Sequence, residues 1–306
     1  MGRITVIGSL NMDLVATSKY MPKIGETVIG YDFKQFPGGK GANQAVAMAR
    51  LGGKVNMIGK VGFDSFGDIL INSLKKNGVN VENIKKEKNC STGVALIIVD
   101  EQANNSIVVI SGANYKITKK DIDEILDVIK DSKIIVIQLE VPLEVVKHSL
   151  IKSKELGKYT ILNPAPAQEL DDEIIKNIDL LIPNETEVEI LGGIEIKSEK
   201  DIVSASKKLI KRGVKKIIVT LGEKGSIYIT EKEVRKFDAY KANAVDTTAA
   251  GDAYIGAIAV ALANDEDIDI AIDMASKVGA LTVTKEGAQS SLPYLDDVIN
   301  FKKENL

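Results

Sequence analysis

Two rhythms of apolar residues alternate along this chain. Short apolar runs at 4–7, 54–61, 134–139, 159–162, 180–182, 216–220 and 226–230 read as buried strands. Between them lie stretches with helical spacing. Ile122, Ile125, Leu126 and Ile129 recur three and four apart behind the capping box Thr118-Lys119-Lys120-Asp121. Further helices are predicted at 42–51, from the turn at 62–67 to Lys76, and at 143–155, 199–212, 252–263, 268–284 and 295–303. Such alternation builds a parallel sheet with helices on both faces. An α/β fold with a doubly wound, mostly parallel sheet is therefore expected.

Two segments stand outside that rhythm. Residues 14–37 have no helical period. Val15, Val28, Ile29 and Phe33 sit among Pro22, Gly25 and Gly30, which suggests short strands and turns. Residues 92–99 and 106–110 read as two strands around the polar turn 101–105, hence a hairpin. Together these segments are expected to form one small sheet apart from the main one. No internal repeat, low-complexity tract or linker interrupts the chain.

Length and charge narrow the picture. The 306 residues suffice for one large α/β domain or two ordinary ones. A net charge of −3 offers no basic field for nucleic acid or anionic lipid, so neither is expected as a partner. Cys90 is the single Cys and cannot close an internal disulfide. His148 is the single His, and it falls inside a predicted helix. That excludes a His-rich metal site and argues against a Ser-His-Asp triad. No run approaches the roughly 18 apolar residues of a membrane span. The N-terminus leads straight into a strand-like run without a signal peptide, and a reduced, cytoplasmic enzyme is the expectation.

The polar clusters sit at strand ends and helix starts, the edge where open α/β sheets bind ligands. The strongest is Val245-Asp246-Thr247-Thr248-Ala249-Ala250-Gly251-Asp252, which opens a run of small and apolar residues. Ala249, Ala250 and Gly251 then lie at a helix N-terminus, where free N–H groups and the macrodipole favour an anion. Asp252 would repel a phosphate, and its better use is as a base that takes a proton from an attacking hydroxyl. Taken alone, the octapeptide is also compatible with a first-turn carboxylate on a closely packed helix. Gly38-Gly39-Lys40-Gly41 lets backbone touch a ligand and projects Lys40 and Asn43, but it lacks the P-loop spacing. Gly8-Ser9-Leu10-Asn11-Met12-Asp13 has one Gly where a dinucleotide fold wants three. Asn11 and Asp13 suit a polyol, or equally an Asx turn.

These motifs resemble the ribokinase group of the PfkB-type carbohydrate kinases over nearly the whole chain. The resemblance rests on Gly8 through Asp13, Pro37 through Gln44, Leu139-Glu140-Val141-Pro142 and Asn163-Pro164-Ala165-Pro166. It continues in Asn184-Glu185-Thr186-Glu187, Thr220-Leu221-Gly222 with Gly225, Val245 through Asp252, and Gly287-Ala288-Gln289. It implies a ribokinase-like single kinase domain, 1–306, with a β-sheet lid at about 14–37 and 91–110 and a homodimer paired through that lid. The implied reaction is ATP-dependent phosphorylation of D-ribose at its 5-hydroxyl. A sibling kinase for deoxyribose, a nucleoside or another sugar is the alternative. By resemblance, Asn11, Asp13, Gly39, Lys40, Asn43 and Glu140 hold the sugar and Asp252 is the base. Ala249, Ala250 and Gly251 form the anion hole. Asn184, Thr220, Gly222, Gly225 and Gly251 line the ATP site, and Glu187 handles Mg2+ through water. An activating K+ is assigned to Asp246, Thr248, Thr282, Lys285, Gly287 and Ser291. The adenine pocket is placed near 274–278, where no side chain is an obvious base reader.

Overall fold

The computed structural model describes residues 2–102 and 104–301. In chain order its strands are β1 (Arg3–Ile7), β2 (Asn11–Thr17), β3 (Asp32–Gly38), β4 (Lys54–Gly62), β5 (Asn80–Glu87), β6 (Gly93–Val99), β7 (Asn105–Ile110), β8 (Ile134–Ile137), β9 (Tyr159–Leu162), β10 (Leu180–Leu181), β11 (Lys216–Thr220), β12 (Ser226–Ile229) and β13 (Val234–Phe237). The helices are α1 (Lys40–Arg50), α2 (Ser65–Lys76), α3 (Lys119–Asp123), α4 (Leu126–Lys130), α5 (Leu143–Glu155), α6 (Asp172–Ile175), α7 (Glu185–Gly192), α8 (Glu199–Arg212), α9 (Ala250–Ala263), α10 (Ile268–Thr282) and α11 (Leu295–Ile299).

Among the described residues the main sheet runs β13-β12-β11-β10-β9-β8-β1-β4-β5. Every pair from β11 to β5 is parallel, and β12 and β13 are antiparallel. Alternate side chains of the central strands enter opposite cores, as the pleat requires. Ile134 and Val136 pack with α1, α9 and α10, while Ile135 and Ile137 pack with α5 and its neighbours. The doubly wound sheet expected from the alternation is thus present. Two strands were not expected, β5 and β13. Both are sheet edges rich in charge, which hides the apolar signature of a strand. The helix expected behind Thr118 is two short ones, α3 and α4, although Thr118 and Asp121 do form the capping box. The expected last helix stops at Ile299, and residues 302–303 of that expectation lie outside the described residues.

A second, four-stranded sheet has the order β3-β2-β6-β7. It springs from the main sheet where β1 passes through Gly8-Ser9-Leu10 into β2. At its base Asn11 lies between Gly38 and Gly93.

Helix α9 is buried on nearly every side, so it can pass through the centre of the molecule. Its partner α1 approaches unusually closely. A Cβ placed on Gly256 would lie 2.7 Å from Ala47 Cβ.

Candidate active site

The site is built where α1, α9, β2 and the ends of β8–β11 meet. Gly39 begins α1 with φ near 89°, a value that suits Gly. A Cβ there would also lie 2.6 Å from Asn11 N. The start of α1 is stitched to the β1–β2 turn by Ala42 N donating to Ser9 O at 2.9 Å. Glu140, just past β8, accepts from Ser9 Oγ and from Lys40 N. Asn43 Nδ2 donates to Asp252 Oδ2 at 3.0 Å, joining α1 to α9. Gln44, the next residue, donates to Asp252 Oδ1 at 2.9 Å.

Asn11, Asp13, Gly39, Lys40, Asn43, Glu140 and Asp252, the residues expected to hold a sugar, are therefore brought together. Asp13 needs a Gly at position 38, diagonally across from it on β3, since a Cβ there would come within 2.2 Å of its carboxylate. Four carboxylates act on one Lys. Burial works against the charge of Lys40, but Asp252, Glu140, Glu187 and Asp13 together hold its pKa above the usual value. Burial, reinforced by Glu140 and Asp252 and opposed by Lys40, pushes Asp13 up to about 7. Burial also raises Asp252, while Lys40, Gln44 and Asn43 oppose the rise and Glu140 adds to it.

Ala249 caps α9 in the left-handed region, at φ 60°. Ala250 N reaches Thr247 O at 3.3 Å, and among the described residues the amides of Ala249, Gly251 and Asp252 have no acceptor. Here is an oxyanion-type cradle beside a buried carboxylate, the arrangement that phosphoryl transfer to an alcohol requires.

Two clefts flank the cradle. One of about 150 Å³ contains Lys40, Asn163, Asn184, Glu187, Thr220 and Asp252. The other, of about 420 Å³, is walled by Thr220, Gly222, Gly225 and Gly251. Its far wall includes Ser276 from the region expected to hold adenine, but also Ala239, Tyr240, Ala242 and Ala244. That segment follows the edge strand β13 and was not anticipated. Asn184 and Glu187 form a capping box on α7. Both Glu187 oxygens accept from Asn184, at 2.9 and 3.1 Å, so the carboxylate suits a magnesium ion's water shell better than the ion itself.

Of the residues expected around a monovalent cation, Asp246 meets Thr248 and Gly287, and Lys285 N donates to Thr282 O at the adjoining end of α10. Val283 O accepts from Val245 N and Asp246 N, which ties the end of α10 to the octapeptide. Asp246 accepts from Thr248 N at 2.8 Å and Gly287 N at 2.9 Å. Thr282 Oγ1 and Ser291 Oγ bond to nearby carbonyls, of Val278 and Ala288. These two hydroxyl protons are therefore spent, and what Thr282 at the end of α10 and Lys285 and Ser291 in the following turns can offer is oxygen, a donor type that fits K+.

Residues the motifs did not assign also shape the site. Asn114, buried in the 3₁₀ turn after β7, accepts from Leu10 N at 2.9 Å and donates to Leu10 O and Asn11 Oδ1. Among the described residues the amide N–H2 group of Asn11 has no acceptor, which leaves it available to a ligand. His148 lies on α5 against Asp123, remote from this cluster.

The comparisons agree with that geometry. The family model "pfkB family carbohydrate kinase" matches residues 1–295. A deoxyribokinase of Salmonella typhi is 43% identical, covering 96% of each chain. A ribokinase of Schizosaccharomyces pombe is 42% identical, covering 98% of each. The structure of Arabidopsis thaliana ribokinase complexed with ribose and ATP superposes with a TM-score of 0.92 at 30% identity, over 98% of this chain and 99% of that one. With the fold, the cradle and these relatives in agreement, the chain belongs to the pfkB family of carbohydrate kinases.

Proposed function

We propose that this kinase transfers the γ-phosphoryl group of ATP to the 5-hydroxyl of D-ribose, giving D-ribose 5-phosphate, in the cytoplasm. The observation that carries the reading is the buried Asp252 carboxylate at the mouth of the α9 cradle, between a cluster of polyol-binding side chains and a nucleotide-sized cleft. Asn11, Asp13, Gly39, Lys40, Asn43 and Glu140 orient the sugar, and Asp252 takes the proton from its hydroxyl. A positioned base of this kind is worth roughly 10²–10⁴-fold in rate. The unpaired amides of Ala249 and Gly251, with that of Ala250 between them once it leaves Thr247 O, receive the charge that develops on the phosphoryl oxygens. Thr220, Gly222 and Gly225 line the donor's cleft.

Magnesium, held through water by Glu187 beside Asn184, would screen the phosphates. Potassium at Asp246, Thr248, Thr282, Lys285, Gly287 and Ser291 would add positive potential beside the cradle. The second sheet, about 14–37 and 91–110, serves as a lid that excludes water over the sugar of a single kinase domain. Its edge exposes Leu96 and Val108, paired on one face, and Ile107 and Val109 on the other, each at least 45% exposed, which supports pairing of two lids in a homodimer.

A second reading is phosphorylation of 2-deoxyribose, favoured by the 43% identity to a deoxyribokinase. A coupled ADP-release assay with magnesium-ATP and potassium separates the two. D-ribose, 2-deoxyribose, fructose, adenosine and a no-sugar control form the panel. Ribose turnover well above the others is expected. A preference for deoxyribose would keep the base and the cradle and replace the substrate.

A further inference from the structure

The motif Asn163-Pro164-Ala165-Pro166 and the fully buried pair Gln44 and Gln138 have no place in the chemistry so far, yet they converge on it. Gln44 Nε2 donates to Asp252 Oδ1 at 2.9 Å and to Asn163 Oδ1 at 3.1 Å. Gln138 Nε2 donates to Gln44 Oε1 at 2.6 Å. Asn163 Nδ2 donates to Ile182 O at 3.3 Å. Building on the reading of Asp252 as the base, we propose that Gln44 is a positioning residue for Asp252, its amide locked in one orientation by Gln138 and Asn163.

The lock follows from which atoms can donate. An ionised carboxylate only accepts, and so does the carbonyl of Ile182. Asn163 must turn its nitrogen to Ile182, which leaves its oxygen facing Gln44. Two acceptors then face the nitrogen of Gln44, and one donor, Gln138, faces its oxygen. A flipped Gln44 would set oxygen against two oxygens and nitrogen against nitrogen. The price of this arrangement is visible: among the described residues Gln138 Oε1 is buried without a partner, where a Cβ on Gly8 would lie 2.0 Å away. A group present only to fill the core would not need an amide there.

Asn43 and Gln44, consecutive on α1, take one carboxylate oxygen each. Two donors from one rigid turn fix the plane in which the base meets the hydroxyl. The remaining charges acting on Asp252 are Lys40 of α1, Glu140 after β8 and Glu187 of α7, with Asp13 of β2 coupled to it from across the site.

The test is a kinetic cycle. Gln44→Met keeps the volume and removes both donors, so kcat should fall about 10–100-fold while the sugar and ATP KM values change less than about threefold. In an Asp252→Asn enzyme, whose own rate tests the base reading separately, adding Gln44→Met should cost less than about twofold more. Gln138→Met leaves the Gln44–Asp252 contact in place and should lower kcat about 3–10-fold, again only while Asp252 is present. It serves as the probe if Gln44→Met does not fold. An equal loss with and without the Asp252 carboxylate would make Gln44 a packing residue and overturn the proposal. Wild-type kcat in both variants would overturn it as well. If Asp252→Asn alone retained full turnover, the base assignment would be the part that fails.

Discussion

Acidification should loosen sugar binding through Asp13. Its carboxyl is pushed up to about 7 by burial and by its neighbours Glu140 and Asp252. As an ionised acceptor it can take two sugar hydroxyls, whereas a protonated carboxyl has a proton of its own to place. With a pKa of about 7, roughly nine-tenths of the molecules are ionised at pH 8 and one-tenth at pH 6. If the ionised form binds, the sugar Kd should rise about tenfold between those pH values, and binding at pH 7 should release about half a proton. The unfolded carboxyl titrates near 3.8, so between 3.8 and about 7 the empty folded site holds more protons than the unfolded chain. Its contribution to stability therefore falls as pH rises through that window and is level above it. Bound sugar offsets that loss, so it should raise Tm more at pH 8 than at pH 6. Calorimetry in two buffers of different ionisation enthalpy measures both the affinity and the proton count. A Kd that is flat from pH 6 to 8, with no proton exchanged, would refute the reasoning. Asp13→Asn should bind weakly and without this pH dependence.

Asp252→Asn should lower kcat by about 10²–10⁴-fold. Its ligand-free Tm should not drop, because a charge that burial disfavours is removed and Asn43, whose Oδ1 is unpaired, can turn to meet the new amide; a clear fall in Tm would contradict this. Lys40→Ala takes away the cation that four carboxylates share, and it should chiefly raise the sugar KM. An unchanged KM would leave the Gly-rich turn a purely structural role. Exchanging potassium for sodium should slow turnover, and equal rates would argue against a selective cation site at the end of α10.

The sequence disclosed the parts of this enzyme that obey a local rule. Apolar runs gave the central strands, and the small and polar motifs at their ends gave Asn11, Lys40 and Asp252. Edge strands β5 and β13 escaped because charge on an exposed strand erases the apolar pattern. The wall at Ala239–Tyr240 escaped with β13, since its position depends on that edge. The contacts of Gln44, Gln138, Asn114 and Asn163 are legible only in three dimensions, although Gln44 and Asn163 stand in motifs that the sequence already singles out. Gln44 and Gln138 meet across 94 residues and Asn114 and Asn11 across 103. An amide in an apolar run announces no partner. The octapeptide showed a helix start, but not that Ala249 reaches it at positive φ.

The contact between Gly256 and Ala47 lies one helical turn beyond the pair Asp252 and Asn43. The missing methyl at Gly256 thus acts as a gauge block: it sets the gap between two helices at a point outside both clefts, and through it the reach of the Asn43 and Gln44 amides to Asp252. A methyl at position 256 would press α1 and α9 apart at that point, and with them Asn43 and Asp252 one turn away. For anyone seeking an attenuated form of the enzyme, position 256 is a dial outside the pocket, and it would be overlooked by any search confined to residues that line a cavity.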